Sequence, residues 1–188
     1  MAGVMIRSKR GRAVRAAGWG LGGLALLVPL VAMQVTDEVA WTTFDFAFVG
    51  VLLAGVGVPV EVALRRERSG TAVAATGVAC FTAVVLVLVT GAVGLVGAEG
   101  NPANALIVAT LGTGIVGAVL ARSDRGMARA MVVVAGVQAM VAGVGGVLTS
   151  WAEPAAYWAG NGLFVLGFLV SAALFGLSGR ETNTPHRA

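Results

Sequence analysis

The sequence predicts an all-α fold, a polytopic transmembrane helical bundle of six spans with both termini in the cytoplasm. Three observations carry this: an apolar composition, six apolar stretches of membrane-crossing length, and basic residues confined to alternate connections. Hydrophobic residues make up 57% of the 188-residue chain and charged residues only 12%, against about a quarter charged in an ordinary soluble domain. Mean hydropathy is +0.89. A water-soluble fold cannot hide so much apolar surface, and six spans leave room for short loops and two tails but for no separate soluble domain.

Crossing about 30 Å of hydrocarbon takes about 20 helical residues. Residues 1–15 form a basic tail, and the spans cover about 16–35, 44–63, 71–97, 102–121, 130–150 and 155–177, before a polar tail over 178–188. The first span follows Arg7, Lys9, Arg10, Arg12 and Arg15 as a signal peptide would. Its apolar run exceeds a usual signal core and no A-x-A cleavage site follows, so a retained span is expected. The third span is the longest and carries Gly91, Gly94 and Gly97 towards its outer end. It is expected there to tilt, to project from the bilayer or to lose regular helix. In the fourth, small residues recur four apart as Thr110, Gly114, Ala118 and as Thr113, Gly117, Ala121. Such rows permit close helix approach, which predicts a fourth span at the centre of the bundle. The same faces would serve a dimer, with packing inside the chain the simpler reading.

Charge tests these spans independently of hydropathy. Five basic residues precede the first span. Arg65, Arg66 and Arg68 follow the second, Arg122, Arg125 and Arg129 separate the fourth from the fifth, and Arg180 and Arg187 follow the sixth, which accounts for all thirteen Lys and Arg. The three opposite loops hold Asp37, Glu38, Glu99 and Glu153 and no basic residue. That is the positive-inside pattern, and it places both termini in the cytoplasm. Trp41, Trp151, Tyr157 and Trp158 at the outer boundary and Trp19 near the inner one fit interfacial aromatic belts.

The net charge of +4 belongs to residues beside apolar spans, where anchoring against anionic lipid accounts for it. Nucleic-acid motifs are missing, so no nucleic-acid partner is expected. The lipid bilayer is the expected partner, with a homo-oligomer or another membrane protein as a further one. A lone Cys80 excludes a disulfide within one chain. Metal-ligand spacings, a nucleophile elbow and a phosphate loop are missing too, and neither a cofactor nor a catalytic residue is expected. The single histidine, His186, stands in the polar tail and reads as solvated.

The polar candidates are therefore few. Thr42 followed by Asp45 fits a capping box opening the second span. Asn101 before Pro102 fits an N-cap with proline at the first helical position, and Ser150, Glu153 and Pro154 suit the start of the sixth span in the same way. Asp37, Glu38 and Glu99 follow the C-terminal ends of spans, where the helix dipole disfavours negative charge. They read either as solvated loop residues or as a cation-binding outer surface shared with Asp45 and Asn104. Inside the membrane Glu61 has Arg65 four residues later on the same face, which predicts an interfacial ion pair, with a proton-relay role as the sharper alternative. Nearby Pro59 can bend that helix. Gln138, midway along the fifth span, must find a hydrogen-bond partner on another helix or a substrate.

Three segments, "TDEVAWTTFDFAFVGVLLAGVGVPVEVALRR", "GAVGLVGAEGNPAN" and "GIVGAVLARSDRGMARAM", lie between about Gln34 and Met131. They resemble a family of small multipass bacterial integral membrane proteins of no established function. Its pattern is an acidic outer loop, a second span ending in Glu, an E-x-N-P-A-N loop and a basic inner loop. Val60 stands where the family pattern has an aromatic residue before that Glu, which puts any aromatic role there in doubt. The resemblance implies a bacterial envelope location and transfers no activity. Three function classes follow from the residues. The first is a non-catalytic membrane component acting through helix packing or partner contacts. The second is a small-solute or ion transporter or channel, which needs Glu61, Gln138 and the outer acids on one polar path. The third is a membrane-embedded enzyme, which needs carboxylates such as Asp45 and Glu99 to converge at the outer face.

Overall fold

The computed structural model describes residues 2–66, 68–94, 96, 101–149 and 155–181, with backbone alone at 2–11, 14, 92, 93 and 181. The fold is all-α and polytopic. Its elements are α1 (Ala2–Val35), α2 (Thr43–Arg65), α3 (Gly70–Val93), a single 3₁₀ turn (Pro102–Leu106), α4 (Ile107–Leu120), α5 (Asp124–Leu148) and α6 (Ala155–Glu181). Among the described residues six helical segments are long and apolar enough to cross a membrane, from Arg15–Val35 to Ala155–Arg180. The chain divides into two compact units, Met1–Glu67 and Arg68–Ala188.

Local chemistry explains where the helices begin and end. The Thr42 side chain accepts from the Asp45 backbone N–H while the Asp45 carboxylate accepts from the Thr42 N–H, so the predicted capping box closes both ways. From there α2 runs unbroken through Pro59 to Arg65. The third span stops short of its sequence-predicted end: α3 finishes at Val93, and Gly94 takes φ 74°. Only glycine adopts that left-handed backbone without a Cβ penalty, and regular helix is lost there. α5 begins six residues earlier than its apolar run, because Ser123 caps it by accepting from the Gly126 N–H. Arg125 and Arg129 consequently sit on helix rather than loop.

The first unit is the antiparallel pair α1 and α2. The helices approach closely at Gly57, where a Cβ would stand 3.1 Å from the Trp19 ring. In the second unit α5 packs between α4 and α6, and α6 packs between α5 and α3. The central helices are therefore α5 and α6, which corrects the expectation that the fourth span lies at the centre. The small-residue rows of α4 do permit close approach, since a Cβ on Gly117 would come within 2.8 Å of the Ala130 Cβ on α5. They do so along one side only: Ile115, Val116, Val119 and Leu120 on the same helix are exposed.

Ala72 and Ala75 of α3, Met131, Val134 and Ala135 of α5, and Phe168, Ala172 and Phe175 of α6 form the core of this unit. The buried positions of α5 recur at three- and four-residue steps from Met131 to Gly146, one face of a helix. Apolar side chains such as Leu21, Val108, Val119 and Leu163 point outward. On a soluble protein such faces would form a large sticky patch; in a bilayer, lipid tails solvate them, and helices associate through packing and interhelical hydrogen bonds.

Candidate functional site

Three of the polar side chains that the second unit buries, Thr110, Gln138 and Asn161, lie with Tyr157 on one continuous chain of hydrogen bonds. Thr110 Oγ1 on α4 donates to Gln138 Oε1 on α5 at 2.8 Å. Gln138 Nε2 donates to Asn161 Oδ1 on α6 at 2.9 Å. Asn161 Nδ2 donates to the Tyr157 carbonyl at 3.0 Å, and the Tyr157 hydroxyl donates to the Ala142 carbonyl, back on α5, at 2.7 Å. Helical spacing makes this possible, because Tyr157 and Asn161, like Gln138 and Ala142, are four apart and share a face. Each amide carries an accepting oxygen on one side and a donating NH₂ on the other, so the chain can pass through Gln138 and Asn161 in sequence. Gln138 thus finds the interhelical partner its depth demands. A further bond, from Ser171 Oγ to the Ala75 carbonyl at 2.8 Å, ties α6 to α3. With donors and acceptors of four side chains engaged in series, the chain suits alignment of helices.

Tyr157 departs from expectation. Its residue is buried, its ring meets Trp158 edge-on at 4.9 Å, and its hydroxyl serves the interior. Only Trp158 of that pair keeps the exposure of an interfacial anchor.

At the basic end of the same unit a second cluster fastens three helix termini. Arg68 Nη1 donates to Asp124 Oδ1 at 2.6 Å, and Ser178 Oγ donates to Asp124 Oδ2 at 2.5 Å. With the Ser178 proton so committed, Ser69 is the donor in the 2.7 Å Ser69–Ser178 contact. Ser69 also caps α3 by accepting from the Ala72 N–H at 3.2 Å. Asp124 stands in the first turn of α5, where the helix dipole favours its charge.

In the first unit Glu61 accepts from Arg65 Nε at 2.6 Å, the four-residue pair the sequence predicts. Arg15 of α1 approaches the same carboxylate oxygen at 3.6 Å. Arg15 and Glu61 close one end of a groove of about 410 Å³ between α1 and α2, whose body is formed by Gly18, Trp19 and Gly22 opposite Leu53, Val56 and Gly57.

Of the remaining candidates, Asp45, Asn101 and Asn104 make local hydrogen bonds and Asp37 and Glu38 are exposed. Asp45 is engaged by the Thr42 backbone at 2.7 Å and hydroxyl at 2.8 Å. Asn101 caps the 3₁₀ turn by accepting from the Ala103 N–H, and Asn104 Oδ1 accepts from the Val96 N–H at 2.8 Å, latching the segment after α3. Asp37 and Glu38 are exposed in the turn after α1, where the Glu38 N–H donates to Thr36 Oγ1. Glu99 and the Ser150, Glu153, Pro154 cap lie outside the described residues, as do Trp151 and His186. Among the described residues no three His, Cys, Asp or Glu side chains are grouped to hold a metal ion. Sequence reasoning missed Asn161, Tyr157 and Thr110 as members of a polar chain, and Arg68, Asp124 and Ser178 as a clasp. A buried glutamine was the available signal for the first set; for the second, only the Ser-Asp pair opening a helix pointed to it.

No family model, curated protein or solved structure matches the chain.

Proposed function

We propose that the protein is a non-catalytic component of a bacterial cell membrane, with both termini cytoplasmic, acting through helix packing with a membrane partner or with further copies of itself. The observation that carries this reading is the internal use of the polar groups that the described residues bury. Among the described residues no buried side-chain nitrogen or oxygen lacks a partner. Gln138 is held at both ends by Thr110 and Asn161, and Glu61 lies between Arg15 and Arg65. A transport path would need those groups turned towards a passing solute, and an enzyme would need Asp45 available to chemistry instead of committed to a cap. The confinement of all thirteen basic residues to alternate connections supports the orientation, and the acidic loop, Glu-ended span and E-x-N-P-A-N pattern support the bacterial family resemblance.

The test is photo-cross-linking in the native membrane from Ile115 and Val119, which present the exposed face of α4. A discrete adduct, with solute and ion flux across reconstituted vesicles equal to that of empty ones, is the expected result. Flux that Gln138→Leu or Glu61→Gln abolishes would replace this reading with the transport one. A reporter fused after Arg180 should be active only in the cytoplasm; activity outside would overturn the orientation.

A further inference from the structure

The groove between α1 and α2 joins an apolar body to a cationic end. We propose that it seats one anionic phospholipid, an acyl chain along Gly18 and Gly22 opposite Leu53 and Val56, and the phosphate on Arg15 at the groove's end, with Arg65 beside it across Glu61. The body has room for a chain, since nothing lies within 4 Å of where a Cβ on Gly18 or Gly22 would stand. Trp19, 47% exposed, forms one wall. At about 410 Å³ the groove falls within the size of ligand clefts, about 300–1,000 Å³.

Charge selects the occupant. Two guanidinium groups pair with the single Glu61 carboxylate, Arg15 in the groove lining and Arg65 just outside it, so this cluster carries one positive charge in excess. A guanidinium carries five N–H donors, more than a shared carboxylate can engage, and its planar fork matches phosphate oxygens. Basic pockets on membrane helices take anionic headgroups for this reason. A zwitterionic lipid would set its own cation against the arginines. Gly18 and Gly22 are also spaced as a helix-dimer motif, but a parallel twofold pair through them would bring Arg15 towards its own copy.

Trp19 is the reporter. The full-length protein is reconstituted in phosphatidylcholine vesicles containing a minor share of either brominated phosphatidylglycerol or brominated phosphatidylcholine, and the quenching assigned to Trp19 is the part lost in Trp19→Phe. Brominated phosphatidylglycerol is expected to quench it at lower mole fraction. Arg15→Gln should weaken that preference about fivefold, as expected for one surface arginine acting on anionic lipid; Arg15→Lys should keep most of it. Gly22→Leu, which fills the body, should reduce quenching by both lipids. Equal quenching of the unaltered protein by the two lipids overturns the proposal. So does a preference that survives Arg15→Gln in protein with an unchanged circular dichroism spectrum. Trp19 shielded from both lipids, with Gly18→Cys forming a disulfide-linked dimer, overturns it in favour of a second copy.

Discussion

The two units solve the same problem, keeping helices together in a solvent as apolar as their own side chains, by different means. The second unit locks α3 to α6 with an apolar core, the Thr110–Gln138–Asn161–Tyr157 chain and the Arg68–Asp124–Ser178–Ser69 clasp. The first holds α1 against α2 through the Trp19–Gly57 approach and the pairing of Arg15 with Glu61, and leaves a groove between them. Lipid supplies no hydrophobic drive for helix association, so close packing and interhelical hydrogen bonds decide how uniquely an arrangement is specified. By that measure the second unit is a determined structure, and the first keeps an open face.

The largest effect is expected where the second unit is tightest. A Cβ at Gly145 would run into the Tyr157 hydroxyl and come within 2.9 Å of Val96 Cγ2. Gly145→Val must therefore displace Tyr157 from its bond to the Ala142 carbonyl. Overpacking costs about 1–3 kcal/mol and the lost bond about 1 kcal/mol, so a destabilisation of roughly 3 kcal/mol is predicted. Thermal unfolding in detergent checks it; a midpoint within error of the parent would mean that this contact is slack and the contrast between the units overdrawn.

Gln138→Leu comes next. It removes the central link and leaves Thr110 and Asn161 to find other partners. Interhelical hydrogen bonds in membrane proteins average about 0.6 kcal/mol and reach about 1.7 kcal/mol. A loss of about 1 kcal/mol is expected, with most of it shared with Asn161→Leu, since both break one chain. A double variant as destabilised as the sum of the singles would show that the groups act separately.

How much of this was legible follows from distance along the chain. The capping box joins residues three apart and the Glu61–Arg65 pair residues four apart, so helical geometry alone exposed both. Span existence was legible because each apolar run is long; the end of α3 was not, because choosing Gly94 over Gly91 or Gly97 depends on how the following segment packs. Gln138 announced a need for a partner, yet Thr110 and Asn161 are 28 and 23 residues away, and no local rule selects them. Thr110 was read as one small residue in a packing row: the right face, with its hydroxyl overlooked. Asp124 stands among Arg122, Arg125 and Arg129, and nothing local singles out its partners. Its role depends on Ser178 and Arg68, each more than fifty residues distant. The centre of the second unit was misjudged because small residues mark where a helix can approach closely but not how many sides are approached.

The smallest effect is predicted for Arg65→Gln in the first unit. The Arg65 side chain is 70% exposed, and an exposed pair within one helix contributes little after side-chain ordering and salt screening are counted. Arg15 also remains beside Glu61 at 3.6 Å, so the carboxylate keeps a cation when Arg65 is neutralised. The unfolding midpoint should stay within error of the parent at both low and high salt. Arg68→Gln in the second unit is the control that gives this meaning. Arg68 is 24% exposed, and the carboxylate it neutralises also accepts from Ser178, so its loss strands a partly buried charge and should lower the midpoint visibly. If the two substitutions prove equal, the ion pairs of the two units stand in equivalent surroundings, and the difference between them rests on the buried amide chain alone.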